Sequence, residues 1–92
     1  MRTMTFRGEA LEDIRAIAEW YDRIDRDVTE RIRIDLQRSF RLLLDFPEAG
    51  ALVTRRKFRR IVTRRYHFKI AYLVRGEHIE VLGIYRFQDR ER

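Results

Sequence analysis

Apolar residues recur at steps of three and four through the first half of the chain, then at steps of two or in near-unbroken runs through the second. That change of period predicts helices followed by strands. A short strand is expected over about Thr3–Arg7. The first helix should run from about Glu9 to Tyr21. Leu11, Ile14, Ala18 and Tyr21 form its apolar stripe, Ala10 and Ile17 lie beside it, and Glu12, Asp13, Arg15 and Glu19 face water. Gly8 marks the start, and Glu9 and Glu12 sit where the helix dipole favours anions. The second helix is expected to begin near Asp27, because Asp27-Val28-Thr29-Glu30 fits a capping box with Asp27 as the cap. Val28, Ile32, Leu36, Phe40, Leu43 and Leu44 carry its stripe onward. Pro47 ends it by disfavouring helical geometry at Phe46. The short link Arg23–Arg26 makes the helices an antiparallel hairpin.

Three strands are expected after Phe58. Phe58–Tyr66 alternates loosely, His67–Val74 is richer in aromatic and β-branched residues, and Ile79–Phe87 is apolar with few breaks. Arg75-Gly76-Glu77 reads as a hairpin connection. Phe68, Ile70, Tyr72 and Val74 should share one face of their strand. The resulting order, β-α-α-β-β-β, predicts an α+β fold with a helical hairpin on one face of a mostly antiparallel sheet.

Ninety-two residues, 45% of them hydrophobic, suffice for one small core, so residues 1–92 are expected to form one domain. The chain has no cysteine, which excludes disulfides and thiolate metal sites. No apolar run approaches the roughly eighteen residues that would span a bilayer, and the N-terminus lacks a signal-peptide core. A soluble, cytoplasmic protein is expected. The net charge of +6 is unevenly spread. From Ala49 to Gly76 there are nine Lys/Arg and no Asp or Glu, whereas the remainder of the chain is net acidic by three charges. Such a concentrated segment predicts one coherent cationic surface directed at a polyanion.

Along Phe58–Tyr66, alternation would place Arg60, Val62, Arg64 and Tyr66 on one face and Arg59, Ile61, Thr63 and Arg65 on the other. Either arginine pair could hold phosphates bidentately. Groups able to move a proton are scarcer: Tyr85, Tyr66, His67 and His78. His67 reads as a solvent-facing strand residue in preference to a base, and His78 as structural. Tyr85 is open between a buried structural role and a site role. At least one of Trp20 and Tyr21 should pack in the core. With two separated His and helix acids whose periodicity points them outward, no metal site is expected. No cofactor-binding loop is present either.

The element order and length resemble the RelE/ParE superfamily of type II toxins, and specific segments fall in register. Ala10-Leu11-Glu12-Asp13-Ile14 runs into Trp20-Tyr21. Leu42-Leu43-Leu44-Asp45-Phe46-Pro47-Glu48-Ala49-Gly50 is similar to the family's Leu-x-x-x-Pro-x-x-Gly signature. Tyr66-His67-Phe68-Lys69-Ile70-Ala71-Tyr72 resembles its aromatic-x-Ile-x-Tyr segment, and Ile79 to Arg86 forms a last strand before a basic tail. The likeness leans toward the ParE branch, whose known members poison DNA gyrase. The RelE branch cleaves messenger RNA on the ribosome. The chain departs from both patterns: Arg86 stands where ParE-like chains often carry His, and no tyrosine follows Tyr85.

The resemblance implies a toxin without catalysis of its own, a cognate antitoxin partner, and possible toxin–antitoxin heterotetramers. A flexible acidic antitoxin segment is expected to meet Arg55, Arg56 and Lys57. The target, gyrase or the ribosome with its mRNA, is expected to meet Arg59, Arg60, Arg64, Arg65 and Lys69. The nuclease alternative would use Tyr85 as proton carrier with Arg86 among the phosphate clamps. A non-toxic nucleic-acid-binding module is the remaining alternative.

Overall fold

The computed structural model describes residues 1–53, 55 and 57–86. Its elements are β1 (Thr3–Phe6), α1 (Gly8–Asp22), α2 (Arg26–Asp45), β2 (Ala51–Val53), β3 (Phe58–Val62), β4 (Lys69–Arg75) and β5 (His78–Tyr85). The strands form one sheet in the order β1-β5-β4-β3-β2. β1 pairs with β5 in parallel, and every other neighbouring pair is antiparallel. The expected α+β architecture holds, with the short β2 as an additional edge strand. Phe87 lies outside the described residues.

Three isoleucines show how the sheet sorts its faces. Ile61, Ile70 and Ile84 are register partners across β3, β4 and β5, all buried, and they point toward the helices. Met4 and Phe6 of β1, Tyr72, Ile79 and Val81 join the same core. The helices contribute Ala10, Ile14, Ile17 and Tyr21 from α1, and Ile32, Leu36, Phe40 and Leu43 from α2. Phe6 meets Phe40 edge-on at 5.0 Å, and Tyr21 meets Phe68 edge-on at 6.4 Å. Offset aromatic contacts of this kind add about 0.5–1.5 kcal/mol each to simple burial.

The stripe expected on α1 holds at Ile14 and Tyr21, which pack against the core, but its buried centre lies one residue earlier. Leu11 is 55% exposed, and the buried face follows Ala10 and Ile17, flanked by Ile14 and Tyr21. At 100° per residue a one-position slip turns a leucine out to solvent. The cap of α2 also differs. Asp25, in extended backbone, accepts from the Asp27 amide at 2.9 Å, whereas Glu30 pairs with Arg33. Asp25 therefore satisfies a free helix donor two residues before the expected cap.

β3 stops at Val62, four residues before the expected end. The Thr63 amide donates to the Phe68 carbonyl at 2.7 Å, and the Thr63 hydroxyl accepts from the Phe68 amide at 2.9 Å. This closes a turn in which His67 takes φ +60°. Arg64, Arg65 and Tyr66 thus project from a turn, so Arg64 does not extend the face of Arg60. His67 is exposed in that same turn and is not a strand residue. Alternation continued on paper because nothing local forbids it; tertiary hydrogen bonds bend the backbone instead.

The second helix and the sheet are locked at the Pro47–Gly50 loop. The Tyr72 hydroxyl donates to the Pro47 carbonyl at 2.7 Å and accepts from the Gly50 amide at 2.8 Å. Burial raises the Tyr72 phenol above its ordinary value, and the Gly50 hydrogen bond opposes this in part. A Cβ on Gly50 would stand 2.6 Å from that hydroxyl and 2.8 Å from Ile61, so the approach requires glycine. The Leu-x-x-x-Pro-x-x-Gly and aromatic-x-Ile-x-Tyr segments are therefore two halves of one contact.

Candidate functional site on the open face of the sheet

The face opposite the helices carries two cross-strand rows. Arg60, Ala71 and Gly83 are register partners, and so are Val62, Lys69 and Tyr85. Directly paired residues project on the same side of a sheet. Two small residues therefore lie at the centre of a shallow dish whose rim is formed by Arg60, Lys69, Val62 and Tyr85. β5 carries an irregularity opposite Ala71 and Tyr72, where one extra residue lets Gly83 and Tyr85 share this face.

Tyr85 folds back over Gly83. A Cβ there would lie 2.6 Å from the Tyr85 hydroxyl and 3.3 Å from Oδ2 of Asp13. The same Asp13 oxygen accepts from the Ile84 amide at 2.9 Å. α1 thus reaches the edge of β5 with a carboxylate and sets it beside the phenol. A hydroxyl and a carboxylate oxygen, both groups of the kind that move protons, thus converge on the space above Gly83. Just beyond, the Arg86 guanidinium lies over the half-exposed Trp20 ring at 5.6 Å. Tyr21 is the aromatic that packs inward.

Not all the expected basic residues meet here. Arg60 and Lys69 do. Arg59 faces the other way and donates to the Gly50 carbonyl at 2.8 Å, bracing the Pro47–Gly50 loop. Arg64 and Arg65 line a groove of about 650 Å³ beside α2. Arg55 and Lys57 sit between β2 and β3, both at positive φ and both exposed, while Arg56 lies outside the described residues. Lys57 and Arg64 lie beyond opposite ends of β3, whose five residues span roughly 16 Å at about 3.3 Å per residue. The single cationic surface expected from the charge run is instead divided among the open face, the turn after β3 and the loop before it.

The helix acids also correct the sequence reading. Asp35 is 5% exposed, and its two oxygens accept from the Arg65 amide at 3.1 Å and the Tyr66 amide at 2.8 Å. Asp13 is half-buried at the β5 edge. Asp35 falls between Ile32 and Leu36 and Ser39 on the inward face of α2, and that phase is the signal that could have found it. Asp13 next to Ile14 gave a weaker one. His78 is structural, as expected, with its ring nitrogens 2.7 Å from the Thr3 hydroxyl and 2.8 Å from that of Thr5.

A family model described as the ParE toxin of the type II toxin-antitoxin system, parDE, matches residues 4–92. The chain belongs to the ParE toxin family. Its fold is shared with the chromosomal ParDE system of P. aeruginosa, with a TM-score of 0.79, 21% identity and coverage of 94% of this chain and 96% of the other. The E. coli RelBE toxin-antitoxin complex matches at TM-score 0.64 and 21% identity over 100% of both chains. The isolated E. coli RelE toxin matches at TM-score 0.65 and 20% identity, covering 99% of this chain and 89% of that one. A comparison with curated protein sequences found no match. As a member of this family the chain is a type II toxin of the RelE/ParE superfamily, and the open-face dish and its rim are features of a ParE-family sheet.

Proposed function

We propose that this toxin acts on DNA gyrase, engaging it through the open face of the sheet, and that a cognate antitoxin holds it in check. The observation that carries the target is the ParE-family match across residues 4–92, since poisoning of gyrase belongs to that branch of the superfamily. The rim supports the contact surface: Arg60 and Lys69 flank the dish as cations, and none of the ion pairs among the described residues engages Lys69. The whole chain acts as one toxin domain, and its target places it in the cytoplasm. Among the described residues no helix is long and apolar enough to cross a membrane.

Incubating the purified chain with gyrase and supercoiled plasmid tests this reading. Linear DNA is expected after detergent and protease release trapped cleavage complexes, and mRNA on programmed ribosomes is expected to stay intact. One observation favours a second reading. The Tyr85 hydroxyl and an Asp13 oxygen both lie against Gly83, and Tyr85 is the register partner of Lys69, which sets groups that can move a proton beside an open-face cation. Ribosomal mRNA cleavage, abolished by Tyr85→Phe and accompanied by unaffected gyrase, would put the nuclease reading in place of the first.

A further inference from the structure

The far end of β5 has a strand neighbour on one side only. β1 pairs with His78–Val81, its ladder closes with the Arg7 amide donating to the Val81 carbonyl at 2.9 Å, and the chain then enters α1. β4 runs on beside β5 as far as the Lys69–Tyr85 pair. Between those limits lies the register shift: Tyr72 stands opposite Val81 and Ala71 opposite Gly83, so Leu82 is the extra residue. One extra residue reverses the alternation of everything beyond it. Backbone donors that would have pointed toward β4 therefore point outward, past the end of β1. The Ile84 amide is such a donor, in a part-buried position where an unpaired N–H is costly. Asp13, on the second turn of α1, supplies the acceptor at 2.9 Å. A helix carboxylate thus continues the ladder where β1 leaves off.

The same helix touches this end a second time, through the Trp20 ring beneath the Arg86 guanidinium. Asp13 and Trp20 lie two turns apart on one face of α1, and both line a groove of about 250 Å³ with Ile84 and Arg86. Tyr85 and Arg86 directly follow the held amide. Tyrosine and arginine are among the side chains that most often dominate the energy of a protein contact, and that energy is largest when their pose is set beforehand. We propose that Asp13 is a positioning residue for the open face. Its bond to the Ile84 amide fixes the direction in which Tyr85 and Arg86 leave the sheet, and so the pose in which the rim meets the toxin's target. This role rests on the reading of the open face as the working surface, and it carries that surface through β5 to α1. Acceptance of the amide proton, not charge, is the working property. Asparagine, whose carbonyl oxygen also accepts, can replace Asp13, and alanine cannot.

The test uses full-length variants, induced in cells at matched levels and purified for amide exchange at Ile84 and for gyrase trapping on plasmid DNA. Asp13→Ala is expected to accelerate exchange at Ile84 and to raise the toxin level needed for half-maximal growth arrest about tenfold or more. Asp13→Asn should stay within about threefold of wild type in both measurements. Tyr72→Phe, which weakens the fold without touching the Asp13–Ile84 bond, should keep growth arrest within about twofold. Wild-type arrest by Asp13→Ala, an Asp13→Asn variant as weak as Asp13→Ala, an equal loss of arrest in Tyr72→Phe, or unchanged exchange at Ile84 would each overturn the proposal. A wild type that arrests growth yet traps no gyrase loses the proposed target alone, and the growth series still decides the role of Asp13. Equal trapping of gyrase by wild type and Asp13→Ala removes that role and leaves the target standing.

Discussion

Tyr72→Phe is expected to lower the unfolding free energy by about 2–3 kcal/mol while leaving the ring packing intact. The hydroxyl is buried and makes two hydrogen bonds, one to the Pro47 carbonyl and one from the Gly50 amide. Removing it strands a buried donor and a buried acceptor, and each such loss costs about 1–3 kcal/mol. The damage should be local as well as global. Amide exchange at Gly50 is expected to accelerate, since its bond to Tyr72 ties the end of α2 to β4. The phenol adds a pH signature. Its folded-state value is raised above 10.0 by burial, so its contribution is complete below that value and is lost as the pH rises through the folded-state value. Wild type should therefore lose stability above pH 10 more steeply than the Phe variant. Urea unfolding at neutral and alkaline pH checks both statements, and a change under about 0.5 kcal/mol at neutral pH would remove Tyr72 as the lock.

Asp35→Ala should be at least as damaging, by about 2–4 kcal/mol. The carboxylate is nearly fully buried and terminates two backbone donors in the turn that follows β3. Alanine leaves both amides without their partner and opens a void beside Ser39. Asp35→Asn keeps one acceptor but sets an NH2 group against an N–H, so it should recover only part of the loss. Hydrogen exchange at Arg65 and Tyr66 gives the local readout. Both amides should exchange faster in either variant, whereas amides of β5, at the far side of the core, should follow only the global change. Equal protection at Arg65 in wild type and Asp35→Ala would show that the turn closes without α2.

These two residues also mark where sequence reasoning succeeded and where it stopped. The helical hairpin was legible because Ile32, Leu36 and Leu43 repeat at helical steps over a long segment. β4 and β5 were legible because their apolar content is dense and Gly76 supplies the left-handed turn between them at φ +59°. β2 was not, since three residues carry no period. The end of β3 was not, because the alternation Arg60, Val62, Arg64 is broken by Thr63, Asp35 and Phe68, whose hydrogen bonds are tertiary facts. The charge run from Arg55 to Lys69 was real as composition. As a surface it divides, because a strand sends successive side chains to opposite faces and a turn then redirects the rest. Arg59 became a loop brace, Arg60 and Lys69 rim the open face, and Arg64 and Arg65 joined a helix arginine, Arg38, that the segment did not contain. The candidate site was thus half legible: Tyr85 and the open-face cations were visible, and the carboxylates that hold the site together were not.

Viability after induced expression, comparing the wild-type chain with an Arg60→Glu/Lys69→Glu variant shown to fold, tests the role of the open face most directly. Colony counts should collapse for the wild type and be preserved for the variant, because reversing both rim charges repels the target while leaving the helix-side core untouched. A folded variant that kills as efficiently as the wild type would contradict the assignment of the working surface.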